Sequence, residues 1–219
     1  MSIRVGTRPS RLAFRQVEEI KCLVSGVEFV VIPIQTQGDK DKITPLSSVR
    51  EPDFFTREID EALLDGKIDI AIHSSKDLSP ILTDGLVIFF ETESISRFDV
   101  LVSRDNFKLH QLSKHSRIGV SSQRRRDAVY LLRPDLELID VRGNIDERIR
   151  LLDENKIDAL IVAEAALIRL DLENRISEIF PLDLFETHPK QGSLSLVARE
   201  DRWQKLKSIL SAPGLVIGN

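Results

Sequence analysis

The chain has 219 residues but only one cysteine, one tryptophan and one tyrosine. A lone cysteine excludes an internal disulfide, and a reducing cytoplasm is the compartment this suits. His73, His110, His115 and His188 are scattered without metal-ligand spacing, so no metal site is expected. Trp203 and Tyr130 read as packing residues rather than as platforms for nucleotide stacking. There is no basic excess: 31 lysines and arginines face 35 acidic residues, a net charge of -4. That balance argues against general nucleic-acid binding while leaving room for a local basic site. No apolar run is long enough to span a bilayer, and the opening MSIRVGTRPSRL lacks the apolar core of a signal peptide. GxSxG, Walker and HExxH motifs are all absent, as are internal repeats and low-complexity segments. Apolar residues make up 42% and charged residues 30%, a soluble globular composition with enough chain for one large domain or two ordinary ones.

The stretch Ile68 to Pro80, IDIAIHSSKDLSP, changes character abruptly. Ile68, Ile70, Ala71 and Ile72 read as an interior strand of a parallel sheet. His73, Ser74, Ser75, Lys76 and Asp77 then place five polar side chains at its carboxyl end, where open α/β sheets bind ligands. Asp77 beside Lys76 is a candidate catalytic pair; a solvated turn with Asp77 capping a following helix is the alternative.

Strand and helix alternate along the rest of the chain. Strands are expected at Ile3–Gly6, Phe29–Ile34, Leu86–Phe90, Val100–Val102, Ile118–Val120, Leu136–Val141, Ala159–Val162 and Leu194–Ala198. A first helix carries Ala13, Val17, Ile20 and Val24 on one face, with Ser10 as its cap and Cys22 on the opposite face. Further helices are expected at Glu58–Leu64, Arg124–Leu132, Ile145–Glu154, Glu164–Leu170 and Arg202–Leu210. Gln35–Ser48 reads as a mobile polar loop. The late strand and helix are expected to return to the first domain, giving residues 1–92 plus 188–219 as one domain and 93–187 as the other. Two α/β lobes joined by two crossings form a hinged clamp around a central cleft.

Several arginines share one kind of address. Arg8 follows the first strand, and Arg124 and Arg125 follow the strand ending at Val120. Arg142 follows the strand ending at Val141, Arg148 lies in the next helix, and Arg169 sits on a helix after the strand ending at Val162. Ser121, Ser122, Gly143 and Asn144 add small polar groups at helix amino termini, which favour anions. Guanidinium groups suit paired hydrogen bonds to carboxylates, so a ligand with several carboxylates or phosphates is implied. Ion pairs with neighbours such as Asp127, Asp146 or Glu147 are the competing role.

GTRPSRLA, AIHSSKDL, GVSSQRRR, LIDVRGNIDERI and AEAALIRL, in that order, resemble the successive signatures of the porphobilinogen deaminase (hydroxymethylbilane synthase) family. The resemblance runs from Ile3 to about Arg199. It implies a two-lobed fold like that of type II periplasmic binding proteins, here with the family's third domain absent. It implies head-to-tail condensation of four porphobilinogen units with release of ammonia, in tetrapyrrole biosynthesis. Asp77 matches the catalytic aspartate, with Lys76 beside it. Arg8, Arg124, Arg125, Arg142, Arg148 and Arg169, with Ser10, Ser121, Ser122 and Asn144, match the substrate-binding set. The family's dipyrromethane cofactor is tied to a cysteine of the third domain. Cys22 matches no family motif, so covalent attachment is not expected, and priming would be either on a non-covalently held dipyrromethane or directly on porphobilinogen. REPDFFTRE replaces the family's glycine- and lysine-rich stretch, with Pro52 and Asp53 where anion-binding residues are usual. Small residues are usual near Gln191, where this chain has His188, Pro189 and Lys190. A clamp that binds porphobilinogen, a tetrapyrrole precursor or another polycarboxylate without turnover is the alternative, and a two-lobed sensor for another anion a weaker one. The expected partners are the substrate alone, with no nucleic acid and no membrane, in a monomer or weak homo-oligomer.

Overall fold

The computed structural model describes residues 2–24, 26–41, 43–44 and 53–210. In chain order the elements are β1 (Ser2–Thr7), α1 (Arg11–Leu23), β2 (Glu28–Pro33), α2 (Gln37–Lys40), α3 (Arg57–Leu64), β3 (Ile70–Ser74), β4 (Leu86–Glu91) and β5 (Asp99–Ser103). There follow β6 (Arg117–Val120), α4 (Gln123–Leu132), β7 (Glu137–Asp140), α5 (Ile145–Asp153), β8 (Ala159–Ala163), α6 (Glu164–Arg169), β9 (Glu178–Ile179), β10 (Leu194–Arg199) and α7 (Trp203–Ile209). The described residues divide into one compact unit of 2–24, 26–41, 53–95 and 192–210 and a second of 43–44 and 96–191. These junctions lie a few residues beyond 92 and 187.

The first unit is a five-stranded sheet in the order β2-β1-β3-β10-β4. β1 runs parallel to β2 and β3, while β10 runs antiparallel to β3 and β4. The stretch 70–74 is therefore interior but not in a purely parallel sheet. The returning segment pairs antiparallel with it, a relation that the apolar pattern of a buried strand does not encode. Side chains alternate across the sheet. Ile3, Val5, Ile70 and Ile72 pack with Val17 and Ile20 of α1 and Leu206 of α7. Ala71 and Val197 face the other way, onto Ile59 and Leu63 of α3. Leu63 is fully buried there, and Leu63→Ala would cost about 2–5 kcal/mol. α1 starts where Ser10 Oγ accepts the Ala13 amide at 3.2 Å, and it buries Ala13, Gln16, Val17 and Ile20. Gly6 lets β1 lie close under Ile68, whose Cδ1 a Cβ at this position would strike.

The second unit is a five-stranded sheet in the order β7-β6-β8-β5-β9. β6 is parallel to β7 and β8; β5 is antiparallel to β8 and β9. One side of its core holds Leu101, Ile118, Val120, Val129 and Ile161, closed by Phe180 stacked on Phe185 at 4.0 Å.

Two local expectations are corrected. Tyr130 is 61% exposed and is not a packing residue, because it projects from the outer face of α4; Trp203 does pack, half-buried, against the first core. Gln37–Lys40 forms a helical turn inside the stretch read as a loop, held by Asp39 accepting from the Thr36 amide and hydroxyl at 3.1 and 2.9 Å. Residues 42 and 45–48 of that stretch, and Pro52, lie outside the described residues.

Candidate functional site

In the first unit the parallel β1 and β3 bring their carboxyl ends to one edge of the sheet. β1 ends in Thr7, fully buried, whose Oγ1 has no hydrogen-bond partner among the described residues. Arg8 follows. Its Nε donates to Asp39 Oδ1 at 3.0 Å, its Nη2 donates to the same oxygen, and its guanidinium lies 4.5 Å from the centre of the Phe55 ring. Burial opposes ionisation of Asp39, but the Arg8 contacts and the two Thr36 donors outweigh it and hold the carboxyl below its ordinary value. Asp39 engages Arg8 through Nε and Nη2, which leaves Nη1 as the nitrogen it does not hold.

β3 delivers His73 to Asp77. His73 is 5% exposed, and its Nε2 has no partner among the described residues. Burial, aided by the charge of Arg8, pushes its pKa down to about 4, so the imidazole is neutral at neutral pH. Ser74 Oγ accepts from Gln16 Nε2 at 2.9 Å. The buried Ser75 fixes the following 3-10 turn, Ser75–Asp77. Its amide donates to Ser193 O at 3.0 Å, and its Oγ accepts from Ser195 Oγ at 2.7 Å. The turn thus rides on β10. It holds Lys76 half-buried and Asp77 exposed. Asp77 is the last residue of the turn rather than the cap of a helix.

In the second unit the carboxyl ends of β6, β7 and β8 share an edge, and the antiparallel β5 brings its amino end, Asp99, to the same place. Asp99 is fully buried. Arg125 reaches it with Nε at 3.1 Å and Nη2 at 2.7 Å, and Arg124 with Nη2 at 2.7 Å. Burial alone would raise the Asp99 pKa; the two guanidinium groups overcome that and bring it down to about 2. Arg124 also donates through Nη1 to the Glu186 carbonyl. The side chain of Arg124 is 35% exposed and that of Arg125 only 8%, so the adjacent arginines differ in what they can offer a ligand.

Ser121, Ser122, Arg142 and Asn144 follow the carboxyl ends of β6 and β7, while Arg148 lies in α5 and Arg169 at the last turn of α6. Ser122 caps α4, accepting the Arg125 amide at 3.4 Å, and Ser121 donates to the Val141 carbonyl at 3.0 Å. Asn144 caps α5: its Oδ1 accepts the Glu147 amide at 2.9 Å, and its own amide donates to Glu147 Oε2 at 2.8 Å. Gly143, at φ 92°, makes the bend that Glu147 packs over. Arg142 is half-buried; Arg148, also half-buried, donates from Nε to Gly143 O at 2.8 Å; Arg169 is 7% exposed. Cys22 is exposed near the last turn of α1, away from the carboxyl ends of the parallel strands β1 and β2. A cavity of about 340 Å³ lined by Ser103, Arg104, Lys114, His115 and Asp158 lies at the opposite edge of the second sheet, away from these arginines.

Sequence reading did not single out Thr7, Asp39, Asp99 or Gln191. Nothing in DVLVS marks Asp99 as buried; its role follows from the antiparallel placement of β5.

Residues 3–207 match the family model described as porphobilinogen deaminase, dipyromethane cofactor binding domain. The chain is 39% identical over 203 residues to a porphobilinogen deaminase of Syntrophotalea carbinolica, covering 91% of this chain and 64% of that protein. It is 40% identical to the enzyme of Syntrophomonas wolfei over 210 residues, 94% of this chain and 69% of that protein. The chain thus spans about two thirds of the length of these relatives. Among solved structures it resembles a nutrient-binding protein of Burkholderia cenocepacia bound to methionine, at 13% identity and TM-score 0.53, covering 99% of this chain and 100% of that one. It also resembles the sulfate-bound regulatory domain of a mutant OxyR2 of Vibrio vulnificus, at 14% identity and TM-score 0.52, covering 96% of this chain and 93% of that one. These likenesses show an α/β, two-lobed fold of the type II periplasmic-binding-protein kind. Matched along nearly its whole length by that family model, the chain belongs to the porphobilinogen deaminase family.

Proposed function

We propose that this chain carries out the hydroxymethylbilane synthase reaction, joining four porphobilinogen units head to tail with loss of one ammonia per unit, one water supplying the terminal hydroxyl. One observation carries the reading. A carboxylate, Asp77, sits at the carboxyl edge of one sheet on a turn pinned by Ser75, with Arg8 at the same edge, and the second unit gathers arginines at its own strand-end edge.

Each porphobilinogen bears an acetate and a propionate. Arg8 in the first unit and Arg124, Arg142, Arg148 and Arg169 in the second are the groups suited to them, with Ser10, Ser121, Ser122 and Asn144 adding hydroxyl and amide contacts. Arg125, buried on Asp99, serves by fixing its neighbour. The aminomethyl C–N bond breaks, the amine leaves as ammonia after taking a proton, and an electron-poor azafulvene remains. The α-carbon of a second pyrrole adds to it, and that carbon then loses its proton. Asp77 stabilises the positive charge at the pyrrole N–H and relays the proton; Lys76 meets a substrate carboxylate.

The family's dipyrromethane fits the donor set of this chain. Its two pyrroles carry carboxylates, and guanidinium groups are carboxylate partners. Arg124, Arg142 and Arg148 would hold it, and when bound it supplies the free pyrrole carbon on which the product is built. Cys22 lies near the last turn of α1 and matches no family motif, so within this chain the group would be held by charge rather than by a thioether.

Among the described residues no helix is long and apolar enough to cross a membrane. The proposed setting is the cytoplasm, with the protein a monomer or weak homo-oligomer and without nucleic-acid partners. Binding of porphobilinogen or another polycarboxylate without turnover is the second reading, favoured by the exposure of Asp77. Incubation with porphobilinogen, with ammonia and oxidised porphyrin measured against a heat-treated control, separates the two. Turnover requires both products; tight binding with neither supports the second reading.

A further inference from the structure

The Gln191 side chain, 1% exposed, lies at the end of the second unit, and the chain passes into the first unit at the next residue. Its Nε2 is 2.9 Å from the Arg97 carbonyl, 3.1 Å from the Phe98 carbonyl and 3.0 Å from Asp99 Oδ1. Residues 97–99 are the start of the same unit, just after the chain has entered it. One amide group thus ties the segment by which the chain enters the second unit to the segment by which it leaves.

That amide shares its carboxylate with the arginines. Asp99 accepts from Gln191 Nε2, from Arg125 twice and from Arg124 once. Four donors fill the capacity of a carboxylate. One negative charge against two positive charges leaves the cluster cationic, and the buried Arg125 cannot present that surplus to solvent. Arg124 can, through its partly exposed side chain. An incoming carboxylate at Arg124 competes with Asp99 for Nη2, and Asp99 keeps Arg125 and Gln191 as compensation.

We propose that Asp99 and Gln191 are positioning residues for an anion contact at Arg124, and that through them this contact is coupled to the two segments where the chain enters and leaves the second unit. The inference rests on Arg124 binding a substrate carboxylate, as argued above. It adds that the grip on Arg124 is set by a glutamine that touches no substrate.

The first test needs no substrate. Phenylglyoxal modification of Arg124 is followed by peptide mass spectrometry in the wild type and in Gln191→Met, which keeps the length and loses the donors. Loss of the amide loosens Asp99 and with it Arg124, so modification accelerates about fivefold, while Arg104 and Arg133, outside the network, react at unchanged rates. Gln191→Asn, too short to reach all three acceptors, is the second variant and gives an intermediate rate. An unchanged rate at Arg124 in whichever variant retains the wild-type circular dichroism overturns the proposal. So does an equal acceleration at all three arginines, which reports general loosening. The second test is a double-mutant cycle on the Kd for porphobilinogen. Gln191→Met raises Kd about fivefold in the wild type and less than twofold in an Arg124→Lys background; equal factors in both backgrounds overturn the coupling. If the wild type does not bind porphobilinogen, the functional reading fails, and the modification rates still decide the positioning role.

Discussion

Arg125 meets the carboxylate of Asp99 edge-on, through Nε at 3.1 Å and Nη2 at 2.7 Å, with both side chains nearly out of reach of solvent. The pair is formed between the amino end of β5 and the first turn of α4. A buried ion pair of this kind adds little net stability over an apolar pair, but removing one member strands the other. Asp99→Ala leaves Arg125 without its counter-ion in a dry setting, and the expected loss is about 3–5 kcal/mol in urea unfolding. A loss below about 1 kcal/mol would mean that Arg125 is solvated where the structure buries it.

Two of the buried groups with depressed pKa values, His73 and Asp99, make stability depend on acid. His73 titrates at about 4 in the fold against 6.5 in the unfolded chain. The unfolded chain therefore takes up its proton first, and stability falls as pH drops from 6.5 towards 4, by about 3 kcal/mol. Asp99, at about 2 against an ordinary 3.8, keeps its contribution above 3.8 and loses about 2 kcal/mol as pH falls towards 2. His73→Phe removes the first loss and leaves the second. Urea midpoints measured from pH 7 to pH 2 check this; a variant that loses stability between 6.5 and 4 as steeply as the wild type would contradict it.

The exposed edge of Arg8 sets a third expectation. Asp39 and Phe55 hold the guanidinium in place, and lysine cannot reproduce that two-nitrogen grip. Arg8→Lys should weaken porphobilinogen binding about tenfold by calorimetric titration, at unchanged thermal midpoint within a few degrees. An affinity within twofold of the wild type would take Arg8 out of the binding set.

Much of this architecture was legible because the signals are local. The apolar runs 70–72 and 159–162, the one-sided spacing of Ala13, Val17 and Ile20, and the caps Ser10, Ser122 and Asn144 are written within a few residues of where they act. The strand-end placement of the arginines followed from the same alternation. What they touch did not. Arg8 finds Asp39 across 31 residues and Arg125 finds Asp99 across 26, and both meetings depend on how strands are ordered in the sheets. The neighbours considered from the sequence were close ones, such as Asp127, which instead accepts from Gln123. The antiparallel entry of β10 beside β3 was likewise invisible, since a buried strand looks alike in either direction.

Asp77→Asn tests the central claim most directly. The change keeps the shape of an exposed turn residue and removes its charge, so fold and porphobilinogen affinity should stay within about threefold of the wild type. Ammonia released per porphobilinogen consumed should be one for the wild type, and its rate should fall at least about 100-fold in the variant. Equal rates of release from both proteins, or a wild type that binds porphobilinogen and releases no ammonia, would contradict the account.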